Sequence, residues 1–401
     1  MGPLIDRRTL LAGGVLLLTA AADSPDALAR AALDDAAKLP PPERLAALRH
    51  ISRHGLSAGV QLDIVAAVRG AILQAAIAAA GDPATRYALQ LRLQSGTDAT
   101  PAEAYGWALD RARVLTAHAD RLLRAEGLAA GSVADRLRLL ARDPRYLYPN
   151  DDAGRDRAVA EMNEWLAAAR GLLPRQFGMI PAAVDHVAVR RMSAAEEAAR
   201  KAGYRTLPSF DGTTPGAYFV DLHEIGRRPQ WTLRSVVHHE LLPGHMMQLP
   251  LQTRADPHPL RLGAATGFIE GWAIYAEQLA LESGVYAQDR RGEIGCLQWL
   301  LFRLGRALID IGINAFGWSD EVALAFLRDL YGDPMIFAPF EKDIARARNS
   351  AGGLAADALN WLGFDQLRNA AVQRGADQRR VHDRLLAQGA APLVLLAQAI
   401  A

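Results

Sequence analysis

The sequence predicts a mainly α-helical fold. Alanine, leucine and arginine dominate the 401 residues, and the alternation of apolar and polar residues that marks strands is scarce. About half of the residues are apolar and 22% are charged, a composition typical of a globular chain with a large core. The formal net charge of +1 provides no basic surface for nucleic acid or an anionic membrane. We therefore expect a globular helical protein without a nucleic-acid partner.

Residues 1–29 have the pattern of an export signal. Arg7-Arg8-Thr9-Leu10-Leu11 precedes an apolar run that is too short to span a bilayer, which takes ~20 residues. Ala27-Leu28-Ala29 offers a small-x-small cleavage site. The twin arginine followed by two leucines resembles a Tat signal, which exports folded proteins. We expect a periplasmic or secreted chain without a membrane anchor, whose precursor uses the Tat machinery; the alternative is a cytoplasmic protein with a basic amphipathic start.

Residues 30–190 are predicted to form an N-terminal helical region. Pro40-Pro41-Pro42 breaks the first helical pattern, and Thr100-Pro101-Ala102-Glu103 is a typical helix start with proline at the first helical position. The region is expected to continue as one fold into residues 191–401, which carry the candidate site. The predicted helices are 31–39, 43–52, 57–80, 101–126, 133–141 and 153–173.

A short strand-like stretch follows at 184–222. Residues 184–190 and 217–222 are apolar and β-branched enough for strands, with a helical pattern at 193–202 and a turn at 211–216 between them. We expect the strand at 217–222 to form one edge of the active cleft, where it would bind an extended substrate by strand addition.

The rest of the chain returns to helical patterns. The helix at 292–315 carries Arg306 and Asp310 four residues apart, which predicts an ion pair between them. Whichever of Arg303 and Arg306 is unpaired is a candidate for binding a substrate carboxylate, as is Arg346 or Arg348. The apolar tail at 392–401 is expected to pack on the core. The other predicted helices are 231–242, 268–277, 319–331, 339–348, 355–362, 364–375 and 378–388.

One stretch, 238–245, combines metal-ligand chemistry with a general base. A helical His-Glu-x-x-His places two imidazoles on one metal, but here Pro243 holds the fifth position and His245 arrives two residues late. At roughly 100° per residue, His239 and His245 would lie about 120° apart on a straight helix. A zinc site therefore requires a break at 242–244, which Pro243 and Gly244 favour. The alternative is an ordinary helix stop with surface histidines.

A third ligand is predicted on the helix around 268–277. Glu270 and Glu277 lie seven residues apart and share one face of an otherwise apolar segment, where unpaired carboxylates are costly to bury. Glu270 is the favoured ligand, and Glu277 is expected to hydrogen-bond a ligand; the alternative is a solvated stripe. His238, whose i+4 neighbour is Leu242, is expected to lie behind the ligands or at the surface.

Together these motifs resemble a known family. His-Glu-x-x-Pro-Gly-His followed by Glu-Gly-Trp-Ala-x-Tyr-Ala-Glu resembles the bacterial DUF885 proteins, which are grouped with gluzincin-type zinc metallopeptidases. The similarity runs from about Tyr87 to the C-terminus and includes Gly216-Ala217-Tyr218-Phe219-Val220 and Gln248. It implies a gluzincin-like helical fold with a small strand element, one zinc ion and hydrolysis of peptide-like amides. The chain departs from the family pattern at Met246, at Asn314 and along the segment 354–363, where Asn360 and Trp361 replace a tyrosine and a lysine.

The predicted chemistry is metal-assisted hydrolysis of a peptide or peptide-like substrate. Zinc suits two histidines and one glutamate best. Glu240 is predicted to act as general base toward a metal-activated water, and Tyr218 or Tyr275 to donate to the developing oxyanion. Asn360 stands where the family has a tyrosine that could contact substrate. Two alternatives remain open: a periplasmic metal- or peptide-binding protein that has lost turnover, and an amidase or esterase for non-peptide substrates. The predicted ligands are His239, His245 and Glu270.

Overall fold

The computed structural model describes residues 24–333, 335 and 338–400, and the predicted mainly α-helical fold is confirmed. Three short strands, β1 Val187–Arg191, β2 Tyr204–Thr206 and β3 Gly216–Val220, lie among the helices. The helices are α1 Pro25–Ala37, α2 Pro41–Arg49, α3 Ala58–Ala79, α4 Pro83–Ser95, α5 Pro101–Ala125, α6 Val133–Ala141, α7 Asp152–Gln176, α8 Ala194–Ala198, α9 Leu233–Glu240, α10 His245–Ala255, α11 Pro259–Leu262, α12 Phe268–Glu282, α13 Arg290–Phe316, α14 Asp320–Tyr331, α15 Phe340–Asn349, α16 Gly353–Gln373, α17 Gln378–Ala387 and α18 Leu393–Ile400.

The end of the predicted export signal lies inside the fold. Ser24 caps α1 and a proline occupies its first turn, so this helix begins before the predicted cleavage site. Ala29 is buried against α2 and α3, and the Asp26 carboxylate accepts a hydrogen bond from the Ser57 amide at 2.9 Å. Residues 24–29, which the sequence assigned to the export signal, thus form the N-cap and start of α1 in this fold. The twin arginine and the apolar run lie outside the described residues.

Helix α3 is apolar and long enough to cross a membrane by length and composition alone. In this fold it packs against α2, α4 and α11. It buries Asp63, which forms an ion pair with the equally buried Arg261 of α11 at 3.1 Å and accepts a hydrogen bond from the His258 amide. A buried carboxylate with these partners is typical of a helix that packs within a globular protein.

The main core extends from Tyr87 to Ile400 and crosses residue 190 without interruption. Its centre is formed by α12, α13 and α16, which pack against one another and against α5. The two helices predicted at 355–362 and 364–375 are one helix, α16. Gly363 does not end it: a Cβ there would lie 2.5 Å from Leu393, so the glycine permits α18 to approach. Helix α4 was missed by the pattern reasoning.

The three strands form one small sheet in the order β1–β3–β2. β3 pairs in parallel with β1 and antiparallel with β2, so the backbone of the central strand is engaged on both sides. The expectation that this strand is an edge available for strand addition is therefore wrong. The sheet instead positions two side chains near the end of α9: Tyr218 on β3 and Arg205 on the paired β2.

Candidate metal centre

The predicted break in the histidine-bearing helix is present. α9 ends at Glu240, the Leu242–Pro243 peptide bond is cis, and α10 begins at His245. The glycine of this turn passes against the end of α9: a Cβ on Gly244 would lie 1.9 Å from the His239 carbonyl oxygen. Only glycine can make this approach, and it returns His245 to the side of α9 that carries His239.

Two side chains hold the turn from either side. The indole Nε1 of Trp272 on α12 donates a hydrogen bond to the Pro243 carbonyl at 2.9 Å. His238 Nδ1 lies 3.1 Å from the Leu242 carbonyl, and its ring packs edge-on against Tyr286. His238 is thus buried rather than exposed, and its contact is with the turn. Burial lowers its pKa to about 4, which keeps the ring neutral.

The turn and α12 bring the three predicted ligands together. All three candidate donor atoms lie within 4.8 Å of one another. His239 Nε2 is 3.5 Å from Glu270 Oε2, and His245 Nε2 is 3.4 Å from Glu270 Oε1. Zinc bonds of roughly 2.1 Å in a tetrahedral arrangement require donor separations of about 3.4 Å. The two distances from the imidazoles to the Glu270 oxygens are therefore of the size that one shared zinc ion requires.

His245 supplies an independent test of this fit. Its side chain is fully buried, and within the described residues neither ring nitrogen has a hydrogen-bond partner. A buried imidazole without partners is costly unless another group satisfies it. Nε2 faces the other two donors, so a cation bound there would satisfy it. The Glu270 side chain, 38% exposed, leaves the centre open on one side.

The charges around the triad are tightly coupled. Burial disfavours the charged form of Glu270, but the two imidazoles outweigh it and hold the pKa of this carboxyl well below its usual range. Burial and the Arg303 cation disfavour protonation of His239, yet Glu270 and Glu277 raise its pKa to about 9. Burial lowers the pKa of His245. Glu270 lies between two imidazoles, and its negative charge favours a positive charge beside it. A divalent cation bound to the three side chains would supply that charge.

Glu277 orients the first imidazole. Its Oε1 accepts from His239 Nδ1 at 2.9 Å, and its Oε2 accepts from the Ser235 hydroxyl at 2.7 Å. The carboxylate is 1% exposed, so these bonds are protected from water. A carboxylate bonded to Nδ1 fixes the tautomer that presents Nε2 to a metal. This is the arrangement expected for Glu277 from its seven-residue spacing to Glu270.

Glu240, the predicted base, is held by an arginine that the sequence did not indicate. Arg205 on β2 donates to Glu240 Oε2 from Nη2 at 2.7 Å and from Nε at 3.2 Å. Within the described residues Glu240 Oε1 has no hydrogen-bond partner. Glu240 and Tyr218 line the same cavity of about 220 Å³ beside His239 and Glu270. Burial, followed by the Glu240 charge, raises the pKa of Tyr218, so its hydroxyl remains a proton donor.

Two arginines line this cavity: Arg303, a candidate from the sequence, and Arg228, which the sequence did not indicate. Arg303 on α13 lies against the His239 ring, with Nη2 at 3.4 Å from both ring nitrogens, and its Nε is 3.9 Å from Glu277 Oε1. Arg228 lines the cavity from the loop that precedes α9. Arg303 had been named as a candidate only if unpaired. Positions 205 and 228 carry no local pattern, because only tertiary packing brings them to α9.

Two predicted site residues lie elsewhere. The Tyr275 hydroxyl bonds His382 Nε2 at 2.9 Å in a fully buried aromatic cluster. Five residues separate it from Glu270, which places it on a different face of α12, so it is not the oxyanion donor. Asn360 is 1% exposed, and its amide donates to the Ser95 and Ala356 carbonyls. It packs against Gly271 and is a structural residue of the α12–α16 contact, not a substrate ligand.

Three arginines predicted to contact substrate do not line the cavity. Arg306 pairs with Asp343 at 2.7 Å rather than with Asp310, because Asp310 points inward to accept from the Gly352 and Ala355 amides. Arg348 is exposed and pairs with Asp320. Arg346 is exposed on α15. Helical spacing alone could not distinguish these side chains from Arg303, which lies one turn before Arg306 and faces α9.

Comparison with known proteins agrees with this fold. The structure of the "putative lipoprotein from Colwellia psychrerythraea" matches with a TM-score of 0.70 at 23% identity, covering 92% of this chain and 68% of that one. A "putative lipoprotein of unknown function from Shewanella oneidensis" matches with a TM-score of 0.61 at 16% identity, covering 94% and 73%. At these identities the likeness concerns the fold. None of the curated proteins matches.

The family comparison covers almost the whole chain. Residues 14–400 match the family described as "Bacterial protein of unknown function (DUF885)". This range includes the broken histidine motif, the Glu270 helix and both arginines of the cavity. The motifs that resembled this family are thus parts of a match that spans the fold, and the chain belongs to the DUF885 family.

Proposed function

We propose that this protein is a zinc-dependent, gluzincin-like hydrolase that cleaves a peptide or peptide-like amide bond. The observation that carries the proposal is the set of three donors on His239, His245 and Glu270, which lie within 4.8 Å of one another, with His245 buried and otherwise unpartnered. Glu270 leaves one side of the centre open to the cavity, as catalytic zinc sites do.

The residues around the centre support hydrolysis. A bound zinc ion would supply Lewis-acid chemistry, polarising a carbonyl and lowering the pKa of a water. Glu240 is next to a ligand, and its Oε1 is available to take a proton from that water while Arg205 holds Oε2. Tyr218 is positioned to donate a hydrogen bond to the carbonyl oxygen as negative charge develops there.

A second candidate has its own support. The Arg205–Glu240 ion pair occupies the predicted base, and Asn360, which replaces a family tyrosine, is buried in a helix contact. Both features suit a metal- or peptide-binding protein of the same fold with little turnover. We favour the hydrolase because the ion pair uses one oxygen of Glu240 and leaves the other without a partner.

We further propose that the protein is exported to the periplasm or secreted. The two structural neighbours are each described as a "putative lipoprotein", a class of exported proteins, and the Arg7-Arg8 motif of this chain resembles a Tat signal. Fusing residues 1–29 to a reporter that is active only after export tests this. Export that disappears in the Arg7→Lys, Arg8→Lys double variant supports the Tat route, and a reporter that stays in the cytoplasm contradicts it.

The hydrolase proposal is tested with zinc content and cleavage measured on the same samples. We expect about one zinc per chain in the parent and in Glu240→Gln, because the base is not a ligand. Cleavage of a mixed library of short peptides, followed by mass spectrometry, should fall by about 100-fold or more in Glu240→Gln. A parent without stoichiometric zinc refutes the metal centre. Zinc with no cleaved bond, in a parent that retains peptides, favours the binding protein.

A further inference from the structure

We propose that Arg303 and Arg228 form a carboxylate-binding subsite beside the metal centre. The substrate would then be a peptide or N-acyl amino acid that carries a free carboxylate close to the amide to be cleaved. This inference rests on the proposed function, since it names the substrate class of the same site. It selects Arg303 from the arginines that the sequence offered as candidates and adds Arg228, for which the sequence gave no role.

Arg303 is a nearly buried cation with too few partners. Its side chain is 12% exposed, and its Nε has no hydrogen-bond partner within the described residues. The nearest carboxylate oxygen, on Glu277, is 3.9 Å away and already accepts from His239. A desolvated guanidinium whose Nε makes no hydrogen bond and whose Nη2 makes only long contacts with an imidazole is costly, and an anionic ligand would reduce that cost.

The orientation of Arg303 is fixed by the surfaces on which it lies. Its guanidinium lies over the rings of Trp299 and Phe302, at 5.5 and 5.2 Å from their centroids, and reaches the His239 ring on the other side. Stacking of this kind holds an arginine fork in place without using its N–H donors. The donors therefore stay available beside the ligand that binds the metal.

Arg228 adds a second cation at the same cavity. Its side chain forms no ion pair or hydrogen bond in the part of the chain that the structure describes. It lines the 220 Å³ metal cavity and also an adjoining cavity of about 370 Å³, and Trp299 is shared by both. Arg228 thus lies between the metal cavity and its neighbour.

The acidic residues that line the cavity make their short contacts with groups other than these two arginines. Glu270 lies between two imidazoles, Glu277 is bonded to His239 and Ser235, and Glu240 is paired with Arg205. Asp221 accepts from the His223 amide. Among the described residues Arg303 therefore has only a distant carboxylate, at 3.9 Å, and a planar guanidinium fork matches the carboxylate of a ligand.

The size of the cavity limits what lies between the amide and the carboxylate. At about 220 Å³ it is smaller than the ~300–1,000 Å³ typical of drug-sized ligand sites. A long peptide segment would not fit between the metal centre and the arginines. We infer that the scissile amide is at or near the carboxyl end of the substrate.

The test uses two probes of different charge on the zinc-loaded full chain. 2-Benzylsuccinate offers one carboxylate to the metal and a second to the arginines, and its monoamide lacks the second charge. Acetohydroxamate binds the metal alone. Calorimetry should find the diacid about 10- to 100-fold tighter than the monoamide, as expected for a charge-assisted hydrogen bond. In Arg303→Gln that preference should fall below about threefold while hydroxamate affinity and zinc content are retained.

Control variants distinguish loss of the carboxylate subsite from a general loss of zinc binding or folding. Arg348→Gln removes an exposed arginine outside the cavity and should keep the full preference for the diacid. If Arg303→Gln loses zinc or unfolds, Arg228→Gln provides the same comparison from the other side of the cavity. Equal binding of diacid and monoamide, with normal hydroxamate binding, overturns the subsite alone. A zinc-loaded protein that binds neither hydroxamate nor diacid overturns the proposed function, and the subsite with it.

Discussion

Replacement of Glu277 by glutamine examines how the fold prepares the metal centre. The carboxylate is 1% exposed and makes two short bonds, to His239 Nδ1 at 2.9 Å and to the Ser235 hydroxyl at 2.7 Å. Glutamine has nearly the same shape, so the helix packing should be preserved. It removes the negative charge that stabilises the Nδ1–H of His239, and with it part of the basicity of Nε2.

The expected loss of zinc affinity is taken from other proteins in which a carboxylate hydrogen-bonds a zinc-binding histidine. Loss of a carboxylate behind a zinc-bound histidine weakens metal binding by about 10- to 100-fold. This corresponds to roughly 1.4–2.7 kcal/mol of zinc-binding free energy. Removing the Ser235 hydroxyl, in Ser235→Ala, takes away one neutral-donor bond to Glu277 and should therefore weaken zinc binding less than Glu277→Gln does.

Competition with a chelator measures the change in zinc affinity directly. The zinc dissociation constant of the parent, Glu277→Gln and Ser235→Ala is determined against a zinc-binding dye, with circular dichroism as a check of folding. Glu282→Gln is the matched control, because it makes the same change on the same helix where Glu282 pairs with Arg368. If Glu277→Gln binds zinc within about twofold of the parent, Glu277 does not tune His239 and the reasoning is wrong.

Two further predictions concern the turn at Gly244 and His382, the buried histidine that bonds the Tyr275 hydroxyl. Gly244→Ala should abolish stoichiometric zinc binding and leave a helical chain, because the new Cβ would lie 1.9 Å from the His239 carbonyl oxygen and displace His245. Elemental analysis measures the zinc content, and circular dichroism measures the helical content. An undiminished zinc content in the variant contradicts the prediction. Burial lowers the pKa of His382 to about 4. Below about pH 6.5 the imidazole therefore binds a proton in the unfolded chain but stays neutral in the folded chain. The free energy of unfolding should fall as the pH is lowered from about 6.5 to about 4. The parent should lose about 2 kcal/mol between pH 7.5 and pH 5 relative to His382→Gln in urea unfolding, and equal pH dependence in both proteins would refute it.

Much of the fold follows from local patterns. Capping and proline signals place the start of α5, because Thr100 and Glu103 bond each other's backbone amides and need no distant contact. The break between α9 and α10 was predictable for the same reason, since Pro243 and Gly244 disrupt a helix wherever it lies. The single helix α16 was not predictable, because Gly363 can end a helix or admit a neighbour, and the contact with Leu393 decides between these.

The candidate ligands were also predictable from spacing. His239, His245 and Glu270 are residue types that bind zinc, and the requirement for a helix break was visible in the sequence. The role of strand β3 was not, because edge and central strands of the same composition differ only in their neighbours. Tyr275 and Asn360 were misassigned for a similar reason: each lies in a motif beside the site, but its side chain projects into a helix contact.

The sequence by itself therefore determined the helical class, the family and the donor set of the candidate centre, all of which depend on residue types at short spacing. Only the tertiary structure decided which charges surround that centre. Arg205 reaches Glu240 across 35 residues, and Arg303 rather than Arg306 faces His239 because of how α13 is rotated against α9. Electrostatic interactions depend on distance in space, so the arginines that shape the substrate site have no signature along the chain.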